Sequence, residues 1–461
     1  MSKVLIIENA AIATVDVCDT EYERGYLVAR DGLIDAVGAG AVPEGVKQNP
    51  ADDVTIVDGT DCLLTPGLIN THHHLYQWVT RGLAQNEALF GWLTTLYPIW
   101  ARIDEPSVGA AARGGLAWLA KTGCTTSADH HYVFPTHGGD LLAAEIDAAG
   151  TIGLRFHPTR GSMSRGRSQG GLPPDECVEQ VDSILRASQD AIDRFHDPRF
   201  DSMVRIALAP CSPFSVTDEL MRASAELARS NGVRLHTHLC ETADEEEFCL
   251  ATHGMTPVDY AESVGWLGDD VWFAHAVHLS DAAIKKMAAT GTGAAHCPSS
   301  NARLGAGHAP VRSLLDAGAP VGLGVDGAAS QESGMMVEEL RQAMYTSRLR
   351  AGNSSAAETL GARDALRIGT IGGARNLGRQ DEIGSLEPGK LADLALWDLS
   401  GLGHADIADP VGALVFGPPA SVKLLAVGGR TVVRDGELVT ADEATLARDC
   451  RAAARRLVSG R

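Results

Sequence analysis

Eight short, almost uninterrupted apolar segments divide the middle of this chain, and Ala-rich stretches of helical character lie between them. Strands that are apolar on both faces are typical of a parallel sheet covered on its outer side. Eight such strand–helix units favour an α/β fold with a closed (β/α)8 barrel of the TIM type. The predicted strands are residues 68–72, 125–129, 152–157, 204–209, 233–238, 271–275, 293–296 and 321–326.

The two ends of the chain have a different character. Residues 3–64 contain short strands of alternating polarity with Asp31-Gly32 in a hairpin position, and a similar texture returns around Asp435-Gly436. We therefore expect both termini to contribute to one small β-sandwich domain beside the barrel. The predicted division is a discontinuous β-sandwich of residues 1–64 and 381–440, a metal-binding barrel of residues 65–380 and a C-terminal helix of residues 441–461.

The charge balance limits the partners that this chain can bind. Asp and Glu number 59 against 39 Lys and Arg, which gives a formal net charge of -20 at pH 7. A nucleic acid would meet net repulsion rather than counterion release, so none is expected as a partner. Every apolar run is broken well short of a membrane span, and the first residues do not resemble a signal peptide.

Cysteine usage indicates the compartment. The nine cysteines are widely scattered and form no CxxC pair. This pattern favours reduced thiols over a disulfide framework or a Cys-type structural zinc site. We expect a cytoplasmic protein without a membrane partner, for which self-association into a homo-oligomer is open.

Histidine and aspartate residues stand at the ends of several predicted strands. The first strand ends in TPGLINTHHHLYQ, where residues two apart face the same side, so His72 and His74 point together while His73 faces away. The ends of barrel strands gather at one rim, where His238 and Asp326 would join this pair. Three imidazoles and a carboxylate leave a position for water on a divalent ion and suit Zn²⁺, with iron or manganese as alternatives.

Several motifs accompany this histidine cluster along nearly the whole chain. They are PGLINTHHH, HTHLCET, WFAHAVHL, AHCPSSNARL, GLGVDGAAS and GSLEPGKLADLALWD. Together they resemble the amidohydrolase superfamily, specifically its branch of metal-dependent aromatic deaminases and triazine hydrolases. The resemblance implies the metal ligands His72, His74, His238 and Asp326. It implies one ion, because the fourth strand, VRIALAPCS, lacks the lysine that two-metal members carboxylate.

The same resemblance implies a hydrolytic deamination in which a ring C–NH₂ becomes C=O. A bound divalent ion can lower the pKa of water from about 15.7 to near 7. Asp326 would accept the proton of the attacking water, and Glu241 would protonate a ring nitrogen beside the attacked carbon. His275 would hydrogen-bond the attacking oxygen or polarise the ring. Retention of Asp326 favours deamination over dehalogenation.

The implied substrate is a small purine-like molecule. The segments HHHLYQW, TTSADHHYVFP and ALAPCSPFSVT are most similar to members that convert 8-oxoguanine to uric acid and ammonia. Gln77 can offer a donor and an acceptor to a purine edge, while Trp78 or Trp92 can stack on its ring. Arg160 and Cys211 complete the candidate substrate contacts. Isoxanthopterin, guanine, an S-adenosylhomocysteine-type nucleoside and an aminotriazine or chlorotriazine remain alternatives.

Two other interpretations receive less support. The segment GLGVDG, residues 322–327, is formally a GxGxxG dinucleotide motif, but AASQESGMM follows it instead of a helix. A non-catalytic scaffold of the same family would be expected to lack ligands, and none of the implied set is missing. His278 and His296 match no catalytic position, so we expect both to be hydrogen-bonded structural residues.

Overall fold

A computed structural model describes residues 2–47 and 52–460 of the chain. The N-terminal strands lie around β1, which pairs with β2 in antiparallel fashion and with β4 and β5 in parallel. The Asp31-Gly32 turn joins β2 to β3 with φ values of 50° and 89°, as a two-residue hairpin requires. These strands are β1 (Lys3–Ala13), β2 (Glu21–Arg30), β3 (Leu33–Ala39), β4 (Asp53–Asp58) and β5 (Cys62–Pro66).

The middle of the chain forms a closed parallel barrel, which confirms the predicted fold class. Its strand order is β10-β11-β12-β13-β14-β6-β8-β9, and each of these eight strands overlaps one of the eight predicted segments. In chain order, the strands from β6 to β15 are Leu68–Asn70, His73–His74, Cys124–His131, Arg155–Ser162, Ala207–Pro210, Arg234–Leu239, Val271–His275, Gly293–His296, Val321–Leu323 and Asp326–Gly327.

The short strands β7 and β15 lie outside the barrel ring and pair with each other. His73 lies opposite Asp326, and His74 lies opposite Gly327. They follow β6 and β14, which are neighbours in the barrel. This pairing therefore brings the first and the last strand ends together at the mouth of the barrel.

The C-terminal strands join the N-terminal strands in one nine-stranded sheet. Its order is β19-β18-β17-β16-β5-β1-β2-β3, and β4 pairs with β1. Both ends of the sheet contribute to one buried cluster, in which Leu27 and Ile34 pack with Leu394 and Leu424 as in a sandwich. The predicted domain boundaries at residues 64 and 381 stay predictions. The last strands are β16 (Leu394–Asp398), β17 (Ser421–Val427), β18 (Arg430–Arg434) and β19 (Glu437–Leu438).

The helices cover the outer face of the barrel. None of those in the described part of the chain is long and apolar enough to cross a membrane. In chain order, α1 to α16 are Glu44–Lys47, Leu89–Trp100, Glu105–Lys121, Leu141–Ile152, Val181–Phe195, Asp218–Ser230, Ala243–His253, Pro257–Ser263, Asp281–Thr290, Pro298–Leu304, Val311–Ala317, Met336–Ala351, Ala362–Arg367, Gly373–Asn376, Pro410–Phe416 and Glu443–Ser459. A 3-10 helix, Leu75–Thr80, follows β7 directly.

Buried polar contacts attach the sheet to the barrel. Arg155 of β9 forms an ion pair at 2.6 Å with Asp393, the residue that precedes β16, and each side chain is only 1% exposed. Trp397 of β16 lies completely buried, and its indole N–H is held within the sheet by a hydrogen bond to the Thr65 hydroxyl of β5 at 2.9 Å. The Trp397 ring also fills the space beside Gly123, the residue that precedes β8. The sheet thereby closes the end of the barrel from which the strands begin.

Replacement of Gly123 by Ala should destabilise the protein. A Cβ atom at this position would lie 1.9 Å from the Trp397 ring, and the Gly123 φ of 91° is unfavourable for any other residue. Overpacking and strain together should lower the free energy of unfolding by about 1–3 kcal/mol in a denaturant titration. Gly150→Ala is the matched control, because Gly150 lies in α4 with open space around it, and Ala there should raise stability by about 0.5–1 kcal/mol. Equal stabilities of the two variants would contradict the role of this contact.

Candidate metal centre

Five side chains from different strands meet at the mouth of the barrel. They are His72, His74, His238, His275 and Asp326, and none is more than 8% exposed. Each stands in or just beyond the end of its strand, where barrel strands place side chains toward a common centre. The nitrogens of His72, His74 and His238 lie within 4.8 Å of one another, and His72, His275 and Asp326 form an overlapping group within the same limit. The structure therefore brings together all four predicted ligands.

Hydrogen bonds determine which nitrogen of His72 faces the centre. Nδ1 of His236 lies 2.8 Å from the Trp272 carbonyl, which can only accept, so this nitrogen carries the proton. Nε2 of His236 is then a lone pair that accepts from Nδ1 of His72 at 2.8 Å. Burial lowers the pKa of His236 to about 3 and the pKa of His72 well below its usual value, so both rings are neutral. Nε2 of His72 is consequently an unprotonated nitrogen directed at the centre.

His74 and His238 have the same orientation. Nδ1 of His74 donates to the carbonyl of His130 at 2.7 Å, and Nδ1 of His238 donates to the carbonyl of Cys211 at 2.7 Å. Burial lowers the pKa of His238 well below its usual value. The two Nε2 atoms face each other at 3.1 Å. Because both Nδ1 atoms hold the ring protons, this contact joins two lone pairs and no hydrogen bond can form in it.

Asp326 directs one carboxylate oxygen at these nitrogens. Its Oδ1 lies 3.3 Å from Nε2 of His72 and 3.3 Å from Nε2 of His74. Its Oδ2 accepts from the hydroxyls of Ser300 at 2.6 Å and Ser330 at 3.1 Å. The backbone N–H of Gly327 also donates to Oδ1 at 2.7 Å, and three such donors favour the ionised form of the carboxyl group. Asp326 is therefore ionised and held in one orientation.

This donor set fits a divalent cation. Three nitrogen lone pairs and a carboxylate oxygen would repel one another at about 3 Å unless a positive charge lay between them. Tetrahedral bonds of about 2.0–2.1 Å, as nitrogen and oxygen form with Zn²⁺, place ligand atoms about 3.3 Å apart. The observed separations of 3.1 and 3.3 Å agree with that spacing. The donors at the barrel mouth thus suit a nitrogen-rich metal site.

Glu241 and His275 lie beside this site as a pair of proton-handling groups. Their side chains approach within 3.7 Å, and Nδ1 of His275 hydrogen-bonds Oδ1 of Asn301 at 2.9 Å. Burial raises the pKa of Glu241, so its carboxyl group retains a proton to higher pH than usual. Burial lowers the pKa of His275, but the charges of Glu241 and Asp326 outweigh it and raise this pKa. Both shifts favour the protonated form, so Glu241 and His275 face the same space as two groups that hold protons to higher pH than usual.

A cavity opens above these groups. Its empty volume is about 600 Å³ including its opening to solvent, which is in the range of small-molecule sites. Aromatic and apolar side chains form most of its wall, while the catalytic candidates form its floor. The apolar wall includes Phe90, Trp92, Tyr97, Tyr132, Leu172 and Phe214.

Three of the four predicted substrate contacts line this cavity. They are Gln77, Trp92 and Cys211. Arg160 does not line it, because its guanidinium pairs with Glu179 at 2.7 Å and lies 3.7 Å from the centre of the Phe134 ring. We therefore correct the expectation that Arg160 contacts the substrate. Trp78, the alternative stacking residue, also lies outside the cavity wall and stacks with Arg81.

Gln77 has the strongest structural case among these contacts. Both polar atoms of its amide are buried and have no hydrogen-bond partner among the residues that the structure describes. Unpaired buried donors and acceptors are costly, so such an amide is expected to be satisfied by a ligand or water. A Cβ atom on Gly327 would lie 1.9 Å from the Gln77 Oε1 atom, so only glycine at position 327 allows this placement.

Several residues that support the site have no supporting role predicted from the sequence. His130, His236, Ser300 and Asn301 orient the candidate ligands and His275 through the hydrogen bonds described above. Two of them stand in the motif AHCPSSNARL, which the sequence analysis quoted without assigning them a role. His278 does hydrogen-bond, to the Ala306 carbonyl at 2.9 Å. Contrary to expectation, neither ring nitrogen of the buried His296 has a hydrogen-bond partner.

This chain is similar in sequence and structure to several known enzymes. The profile of the amidohydrolase family matches residues 63–432. The chain is 46% identical to an 8-oxoguanine deaminase of Pseudomonas aeruginosa over 100% of both chains. It is 37% identical to an isoxanthopterin deaminase of an unknown prokaryote, over 92% of this chain and 90% of that one. It also superimposes on an atrazine chlorohydrolase of Arthrobacter aurescens TC1 complexed with zinc, with a TM-score of 0.91, 34% identity and coverage of 98% and 100%.

Replacement of His236 by Phe should weaken metal binding. Phe can keep the stacking on Trp272, whose ring centre lies 4.4 Å away, but it cannot accept the proton of His72 Nδ1. Loss of such a supporting hydrogen bond typically lowers metal affinity about 10- to 100-fold. Metal content after dialysis against a graded chelator, measured by plasma emission spectrometry, checks this. His278→Phe is the control, since the His278 imidazole hydrogen-bonds the Ala306 carbonyl rather than a candidate ligand, and equal metal retention by both variants would contradict the inferred orientation.

Proposed function

This chain belongs to the amidohydrolase family, and we propose that it is a metal-dependent hydrolytic deaminase that converts 8-oxoguanine to uric acid and ammonia. The observation that carries the proposal is the convergence of three imidazole lone pairs and one ionised carboxylate beneath an apolar cavity. The 46% identity with an 8-oxoguanine deaminase over full length supports the choice of substrate.

His72, His74, His238 and Asp326 are the residues that would hold the metal ion. The family is metal-dependent, and we propose a single Zn²⁺ because the donors are rich in nitrogen and a relative of the same fold is complexed with zinc. When bound, this ion would act as a Lewis acid and make a water molecule acidic enough to attack at neutral pH.

The protein's own side chains divide the proton transfers. Asp326 is ionised and accepts the proton of the attacking water. Glu241, whose pKa burial raises, donates its proton to the ring nitrogen beside the attacked carbon, which makes that carbon more electrophilic. His275, held by Asn301, hydrogen-bonds the attacking oxygen. The C–N bond then breaks and the proton taken by Asp326 goes to the leaving nitrogen. The remaining hydroxyl proton returns to Glu241, so that ammonia and the C=O product result and both carboxyl groups regain their starting states.

The cavity supports a flat, aromatic substrate. Aromatic side chains form much of its wall, and the Gln77 amide offers one donor and one acceptor to the edge of a ring. Trp92 is held by the bond from its indole N–H to the Ala329 carbonyl at 3.0 Å. Isoxanthopterin is the second candidate substrate, since a deaminase of this compound is 37% identical. Guanine, S-adenosylhomocysteine-type nucleosides and triazines stay alternatives for the assay.

We also propose a cytoplasmic location. All nine cysteines lie in the described ranges and are free, as expected in a reducing compartment. The net charge of -20 argues against a nucleic-acid partner. Homo-oligomer formation stays a prediction.

The proposed function is tested by ammonia release from a panel of heterocycles. The panel contains 8-oxoguanine, isoxanthopterin, guanine, S-adenosylhomocysteine and an aminotriazine, each with zinc-loaded and with chelated protein. We expect the highest kcat/KM for 8-oxoguanine, uric acid as its product, and loss of turnover after chelation. Equal turnover by chelated protein would contradict the metal dependence. A clearly higher kcat/KM for another compound of the panel would show that this compound, and not 8-oxoguanine, is the substrate.

Conservative replacements of the two carboxylates test their roles. Asp326→Asn and Glu241→Gln should each lower kcat by at least about 100-fold, because each removes a group that transfers a proton. Circular dichroism should show an unchanged fold. Glu246→Gln is the control, since Glu246 is exposed on α7. Near-normal turnover of Asp326→Asn would exclude Asp326 as the base.

Replacement of Gly327 by Ala tests the substrate contact of Gln77. The added methyl group must displace the Gln77 amide, and misplacement by about 1 Å can cost about 100-fold in rate. We expect kcat/KM for 8-oxoguanine to fall about 10- to 100-fold with normal metal content. The double variant with Gln77→Ala should lose little more than Gln77→Ala alone, because both changes act on one contact. Fully additive losses would show that Gly327 acts otherwise.

A further inference from the structure

We propose that Glu245 is a positioning residue that holds Glu241 and His275 in their mutual orientation. This inference rests on the proposed function for its kinetic consequence, but its structural basis is independent of the substrate. Glu245 is 1% exposed and borders the cavity beneath Glu241. Glu245 takes no part in the proton transfers of the proposed reaction.

The carboxylate of Glu245 reaches back to the turn that carries Glu241. This turn joins β11 to α7, and its first residue, Cys240, has a φ of 58°. Oε1 of Glu245 accepts from the backbone N–H of Cys240 at 2.6 Å, and Oε2 accepts from the N–H of Glu241 at 3.5 Å. A non-glycine residue in the left-handed region is unfavourable and persists where surrounding contacts hold it. The carboxylate provides such a contact.

These bonds differ from ordinary helix capping. Glu245 is the third residue of α7, where a glutamate commonly accepts from the N–H of the N-cap residue. Here the N-cap is Thr242, and its hydroxyl is buried without a hydrogen-bond partner. Glu245 instead bonds the two residues that precede the N-cap. Its carboxylate therefore supports the turn rather than the end of the helix.

The same turn is joined to the loop that carries His275. The carbonyl of Cys240 accepts from the N–H groups of Val277 and His278, each at 2.9 Å. His275 and Ala276 also have positive φ values, 71° and 48°. The backbone N–H of Cys240 thus bonds to Glu245, and its carbonyl accepts from the loop that follows β12. Loss of the carboxylate should loosen both loops and with them the 3.7 Å approach of Glu241 and His275.

The test compares Glu245→Ala, Glu245→Gln and the exposed control Glu246→Ala in zinc-loaded protein. For Glu245→Ala we expect kcat to fall about 30- to 100-fold, with KM and metal content close to wild type, because misplaced catalytic groups act mainly on the chemical step. Glu245→Gln keeps a carbonyl oxygen that can accept from the Cys240 N–H and should recover most of this loss.

Amide hydrogen exchange gives a second readout that needs no turnover. Peptides covering residues 239–242 and 276–278 should exchange faster in Glu245→Ala than in wild type and Glu246→Ala, while the remaining barrel peptides stay unchanged. Should Glu245→Ala fail to fold, the same peptides are measured in Glu245→Gln instead. Their exchange rates are expected to lie between those of the wild-type protein and those of fully exposed amides.

Three results would overturn the proposal. They are wild-type exchange at both loops in every folded Glu245 variant, a uniform rise in exchange across the barrel, and loss of metal in parallel with kcat. If the wild-type protein deaminates nothing in the panel, the proposed function fails, and the exchange data alone judge the role of Glu245.

Discussion

The orientation of three imidazole rings is the constraint on which the candidate site depends. The Nδ1–H of each ring donates a hydrogen bond to a fixed acceptor. This acceptor is Nε2 of His236 for His72 and a backbone carbonyl for His74 and His238. A neutral imidazole has only one proton, so these bonds leave every Nε2 as a lone pair that points inward. The rigid barrel strands hold the acceptors in place. The scaffold therefore sets the orientation of the candidate ligands through these hydrogen bonds.

Two carboxylates at this site take different roles because their surroundings differ. Asp326 accepts from two hydroxyls and one backbone N–H, and these donors favour its ionised form despite its burial. Glu241 lies buried against an apolar cavity, and its pKa is raised. One carboxylate is suited to accept a proton and the other to donate one, at the same pH.

Four of the eleven non-glycine residues with positive φ values in the described ranges lie at the same mouth. Cys240, His275, Ala276 and Asp326 all have positive φ values, although none is glycine. Such conformations persist where the surroundings over-determine them, and they are common at functional sites. Here side-chain and backbone hydrogen bonds between neighbouring loops provide that support.

The order of residues along the chain is enough to predict the class of fold and the candidate ligands. Eight apolar segments define a parallel barrel, and the period-two geometry of a strand pairs His72 with His74. Both signals are local, so they can be read along the chain. Three contacts are visible only in the folded protein. Arg160 pairs with Glu179 outside the cavity, and His236 accepts a hydrogen bond from His72. Glu245 accepts a hydrogen bond from the turn that precedes its helix. Those contacts form where segments distant in sequence meet in space or where the chain turns back on itself. Neither the periodicity of a segment nor the spacing of its residues specifies them.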